Sequence, residues 1–82
     1  MDDGLSYVNT RRGRLQFKIE TERETDGRWI AEIPEIPGAL AYGKTEDEAK
    51  ANAYALALRS IADDVEKSHD VPKSISIDCL SA

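Results

Sequence analysis

The stretch AEIPEIPGALAYGKTEDEA, Ala31 to Ala49, decides the fold. It begins as a strand, is cut by Pro34, Pro37 and Gly38, resumes as the short apolar run ALAYG, and passes into a helix start. Proline has no N–H for a ladder and fixes φ at about −65°, while glycine tolerates backbone angles that other residues avoid. The break therefore reads as a corner between two strands. Two prolines three apart could also form a polyproline II ligand, but such ligands sit in proline-rich, solvated tails. Here the flanks are Ile33, Ile36, Leu40 and Tyr42.

Upstream of the corner, Leu15, Phe17 and Ile19 alternate with Gln16, Lys18 and Glu20, the period-two pattern of a half-buried strand. The polar run ERETDG follows, and Asp26-Gly27 predicts a tight hairpin because both residues can take positive φ. The next strand runs from Arg28 to Ile33, with Trp29, Ala31 and Ile33 on one side and Ile30 and Glu32 on the other. Apolar residues on both sides predict a central strand. Ala39 to Gly43 is then the third strand of a meander.

Downstream, Thr45 is placed to cap a helix, and Glu48 to reach back to the cap's own N–H. Glu46 and Asp47 suit the positive end of the helix dipole. No Gly or Pro interrupts the chain from about Glu46 to Lys67. Ala49, Ala53, Leu56, Ala57, Ser60 and Ile61 share one arc, small enough to lie close on a sheet. A second arc of Ala51, Tyr54, Ala55, Leu58, Ala62 and Val65 leaves only a narrow polar stripe. After SHDVPK, the run SISIDCL from Ser74 alternates again and predicts a fourth strand, parallel to a neighbour. The expected fold is α+β, in the order β-β-β-α-β, with a four-stranded mixed sheet and one long helix on one face. Residues 1–13 read as a flexible arm, locally basic at Arg11, Arg12 and Arg14, and residues 14–82 as the domain.

Eighty-two residues leave room for one small core. No apolar run approaches the roughly 18 residues of a membrane span, and the start lacks the apolar core of a secretion signal, so a cytoplasmic protein is expected. A net charge of −5 and a pI near 4.7 disfavour phosphate binding; the plain reading of the acidic surface is solubility, and the alternative is a basic partner. Metal sites need several convergent ligands, and the chain offers one His and one Cys. His69 reads as an exposed turn residue and Cys79 as a small core hydrophobe. Gly38, Gly43, Lys44 and Thr45 satisfy the phosphate-loop pattern literally, but Ala39 to Tyr42 is apolar and the parallel sheet of that fold is missing. Glu20, Glu22 and Glu24 on the first strand, and Asp63, Asp64 and Glu66 at the helix end, do not predict one metal-binding point. No enzyme and no cofactor is expected.

The stretch FKIETERETDGRWIAEIPEIPGALAYGKTEDEAKANAYALAL, Phe17 to Leu58, closely resembles the HicB-type antitoxin domain. The resemblance covers roughly Leu15 to Leu80. It rests on Asp26-Gly27, Trp29, Ala31, Pro34, Pro37, Gly38, Gly43, Thr45, Glu48, Ala49 and Ala53, with departures at Ala39 and Ala41. It implies a degenerate, catalytically silent, partial ribonuclease H-like fold that binds and blocks a small RNA-cleaving HicA-type toxin. Many members also carry an operator-binding segment, and nothing follows Ala82, so no autonomous DNA-binding domain is expected. The shape also matches short, stand-alone members without a toxin, and the alternative expectation for this chain is a structural or regulatory module that self-associates. Within the resemblance, Trp29, Glu32 and Tyr42 are the expected partner-binding residues, with a place in the core as the open alternative for Trp29 and Tyr42. Ile30, Tyr54, Leu58 and Val65 are the expected interface of a homodimer or higher oligomer, since they would otherwise leave an apolar patch in water. Asp26, Gly27, Pro34, Pro37, Gly38, Gly43, Thr45 and Glu48 are expected to shape turns and the helix cap.

Overall fold

The computed structural model describes residues 14–79; the expected basic arm, apart from Arg14, lies outside them. The elements are β1 (Arg14–Arg23), β2 (Trp29–Glu32), β3 (Leu40–Gly43), α1 (Glu46–Ser68) and β4 (Ser74–Cys79). They form one mixed sheet in the order β3-β2-β1-β4. β1, β2 and β3 are an antiparallel meander, and β4 is parallel to β1. The expected α+β arrangement with one helix is therefore the observed one.

The corner is two successive turns. Ile36 donates its N–H to Ile33 O at 3.0 Å, and Ala39 donates to Ile36 O at 3.1 Å. Pro34 and Pro37 each occupy the second position of a turn, where a fixed φ helps, and Gly38 at φ 85° follows Pro37 as a type II turn requires. Ile33 N–H then bonds Ala39 O at 2.9 Å and closes the loop. The prolines face solvent, while Ile33, Ile36 and Ala39 are buried. The corner thus both redirects the chain and plugs the core.

The first hairpin differs from the tight two-residue turn expected at Asp26-Gly27. Gly27 N–H bonds Glu24 O at 3.0 Å, and Glu24 N–H bonds Arg28 O at 2.7 Å. Of the two turn residues only Gly27 has positive φ, at 95°. This is a three-residue loop, a turn followed by a left-handed glycine. Asp26 serves it through its side chain, since its Oδ1 accepts from Arg28 N–H at 3.0 Å.

One face of the sheet carries the core. Leu15, Phe17 and Ile19 of β1 and Ala31 and Ile33 at β2 pack with Ala49, Ala53, Ala57 and Ile61 of α1, and Trp29, Ala41, Val65 and Ile77 pack at its margin. Small residues along the helix let it approach closely, and Gly43 makes the closest approach possible. A Cβ at Gly43 would stand 2.5 Å from Ala49 N. At the helix start, Thr45 Oγ1 accepts from Glu48 N–H at 3.1 Å. The return bond differs from expectation, because Glu48 Oε1 accepts from Lys44 N–H at 2.6 Å, one residue before the cap. At the other end His69, at φ 61°, closes the helix by donating its N–H to Val65 O at 2.8 Å.

Truncating Ile36→Ala should cost about 2–5 kcal/mol, as for other buried isoleucines, although it lies in a loop. Gly43→Ala should also be severe, because the obstructing atoms are helix backbone. Urea unfolding of both variants measures this, and a solvent-exposed change such as Glu35→Ala should leave the midpoint nearly unmoved.

Candidate protein-docking face

The helix lies over β3, β2 and β1, so the opposite face of these strands has no cover among the described residues. Strand alternation and the register fix which side chains stand there. Glu20 lies opposite Glu32, Glu22 opposite Ile30, Ile30 opposite Tyr42 and Glu32 opposite Leu40. The uncovered face therefore groups Glu20, Glu22 and Glu32 with Ile30, Leu40 and Tyr42, and by the same parity it carries the cations Lys18 and Arg28. Leu40 and Tyr42 are exposed, and Ile30 is half-buried. A shallow depression of ≈ 110 Å³, lined by Glu20, Thr21, Glu22, Ile30 and Glu32, runs between β1 and β2.

Two features give this face its character. Glu20 and Glu32 are like charges directly across a ladder, which destabilises a sheet until a cation comes between them. At the hairpin end, the Arg28 guanidinium lies over the Tyr42 ring, 4.4 Å from its centroid. Arg28 Nε also donates to Asp26 Oδ2 at 2.9 Å. The chain from Asp26 through Arg28 to Tyr42 orients the aromatic ring from the turn.

The expected partner-binding trio is split by this geometry. Glu32 and Tyr42 share the uncovered face, but Trp29 has the parity of Ala31 and packs against the core under the helix, with the Arg23 guanidinium 6.0 Å from its ring centroid. The expected oligomer set is split as well. Ile30 belongs with Glu32 and Tyr42, while Tyr54 and Leu58 are exposed on the helix, on the far side of the sheet. Val65 packs against the core. Strand alternation alone puts Glu20 and Glu22 on the solvent side of β1; what brings them beside Glu32, Ile30 and Leu40 is the register, which follows once the hairpin loop is known.

His69 is exposed as expected. Cys79 is exposed, contrary to its expected place in the core, because β4 extends beyond the helix. Among the described residues no group of three or more His, Cys, Asp or Glu is placed to hold a metal ion, and no helix is long and apolar enough to cross a membrane. Comparison with known proteins finds no matching family model, no similar curated protein and no similar solved structure.

Bonds from Arg28, chiefly its backbone N–H, hold the Asp26 carboxyl below its ordinary value of 3.8. A lowered folded-state pKa means that the turn's contribution is present above the unfolded value and is lost as pH falls through the folded one. An NMR titration should show the Asp26 carboxyl titrating below 3.8, with the Tyr42 ring signals moving in the same step as Arg28 is released.

Proposed function

We propose that the chain is a non-catalytic inhibitor module of HicB-antitoxin type, whose uncovered sheet face docks on a small, basic, RNA-cleaving toxin of HicA type in the cytoplasm. The observation that carries this reading is the apolar group of Ile30, Leu40 and Tyr42 toward the β3 side of the bare face, with Glu32 opposite Leu40 and with Glu20 and Glu22 flanking it on β1. Exposed apolar anchors supply burial, and an acidic border supplies steering and register toward a basic surface. The facing Glu20–Glu32 pair adds a specific gain, because a lysine or arginine from the partner would relieve a repulsion present in the free protein. The resemblance of Phe17 to Leu58 to HicB domains supplies the identity of the partner. A second reading, a self-associating module without a toxin, is favoured by the exposed Tyr54 and Leu58 on the helix.

The test is inhibition of RNA cleavage by a purified HicA-type toxin, with binding measured in parallel at low and high salt. The full chain should inhibit in a fixed ratio and bind more weakly as salt rises. Glu32→Lys and Tyr42→Ala should each weaken binding about tenfold or more, with an unchanged circular dichroism spectrum. Absence of binding, or variants as potent as the parent, would reject the toxin-docking reading.

A further inference from the structure

The loop between β1 and β2 carries the dipeptide Asp26-Gly27, which has a chemistry of its own. The backbone nitrogen that follows an aspartate can attack that aspartate's side-chain carboxyl carbon and close a five-membered ring. A glycine in second place removes the side chain that would crowd the attack. The surroundings do not shield the pair either. A Cβ at Gly27 would meet nothing within 4 Å, and the Asp26 side chain is 55% exposed.

What opposes the attack is Arg28. Its backbone N–H donates to Asp26 Oδ1 at 3.0 Å and its Nε–H donates to Oδ2 at 2.9 Å, so one residue holds both carboxylate oxygens. These bonds, the backbone one foremost, also keep the carboxyl below its ordinary value of 3.8. Ring closure expels a carboxyl oxygen as water and proceeds from the acid form, so a carboxyl held ionised reacts more slowly. The attacking nitrogen is engaged as well, since Gly27 N–H donates to Glu24 O at 3.0 Å.

From this arrangement we infer that Asp26-Gly27 is a site of spontaneous backbone isomerisation, and that Arg28 keeps it closed in the folded chain. In the first step Gly27 N bonds to Asp26 Cγ, and its proton leaves with the carboxyl hydroxyl as water. In the second, water opens the ring. Attack at Cγ restores Asp26. Attack at the original main-chain carbonyl leaves the chain running through Cβ and Cγ, an isoaspartate. One water leaves and one returns, so no other reactant is needed and the mass is unchanged.

The consequence is local. Isoaspartate lengthens the loop by one main-chain atom and replaces the side chain that Arg28 holds, so Arg28 is released from its place over the Tyr42 ring. The strand beneath stays seated, because the Tyr42 carbonyl accepts from Asn52 Nδ2 of the helix at 3.1 Å. Isomerisation therefore alters the aromatic corner of the bare face and leaves the sheet folded. The inference does not depend on the toxin reading.

The test is incubation of the full chain in heavy-oxygen water, in buffer and in urea, followed by tryptic digestion in ordinary water. Cleavage after Arg23 and Arg28 releases ETDGR, and a variant without a basic residue at 28 releases residues 24–44. Isoaspartate in these peptides separates from aspartate by retention and fragmentation, and carries a heavy oxygen atom when it arises through the ring. The parent should accumulate it slowly in buffer and rapidly in urea. Arg28→Ala, with an unchanged circular dichroism spectrum, should accumulate it about tenfold or more faster than the parent in buffer, the factor that one lost hydrogen bond to a charged group supplies, and at the parent's rate in urea. Arg28→Lys, which keeps a cation but not the Nε–H, should also exceed the parent, and decides the question if Arg28→Ala unfolds. Asp26→Glu, whose longer side chain cannot close the five-membered ring, should give none. No product from the parent in urea would overturn the site. Arg28 variants no faster than the parent in buffer, or a difference that persists in urea, would overturn the role of Arg28.

Discussion

The seat of α1 on Gly43 is the contact on which the rest of the structure depends. With no side chain at Gly43, the backbone of the first helical turn sits against β3. Thr45, two residues later, caps the helix there. Ala49, Ala53 and Ala57 then continue the close approach along a line of methyl groups before the larger Ile61 is reached. Anchored at β3, the helix has enough width for three strands. It buries one side of β3, β2 and β1, leaves β4 beyond its cover, and leaves the reverse side of the sheet bare. Both the bare face and the uncovered β4 follow from where that one helix is seated.

The proline corner works toward the same end. Each proline restricts the chain before folding, which lowers the entropy lost on ordering, and each stands where the turn needs no N–H. Because the prolines face out and Ile36 faces in, a segment of irregular backbone contributes one of the largest fully buried side chains. This explains why the strands on either side can be only four residues long: the corner, together with the helix, carries burial that longer strands would otherwise supply.

Much of this was legible in the sequence, for identifiable reasons. The alternation of Leu15, Phe17 and Ile19, the Thr45 cap and the alanine-rich arc are local signals, and each corresponds to an observed element. Features that depend on how elements are placed were not legible. Cys79 alternates like a core residue, and only the limited reach of α1 shows that it is exposed. Trp29 and Tyr42 are both aromatic strand residues, yet parity puts Trp29 under the helix and the register puts Tyr42 on the bare face. The pairing of Glu20 with Glu32 depends on a three-residue loop where a two-residue loop was expected. A shift of one position would turn every side chain of β2 to the other side.

Asn52 is a minor polar residue in the helix, but it bears on how large an assembly can become. A sheet with two receptive edges adds copies at both and has no natural end, which is the geometry of a fibre. With Tyr42's carbonyl occupied and β3 short, the β3 edge offers little for a further strand to pair with. Pairing that cannot continue through β3 cannot run on without end, so one amide on the helix bears on the difference between a finite particle and an aggregate.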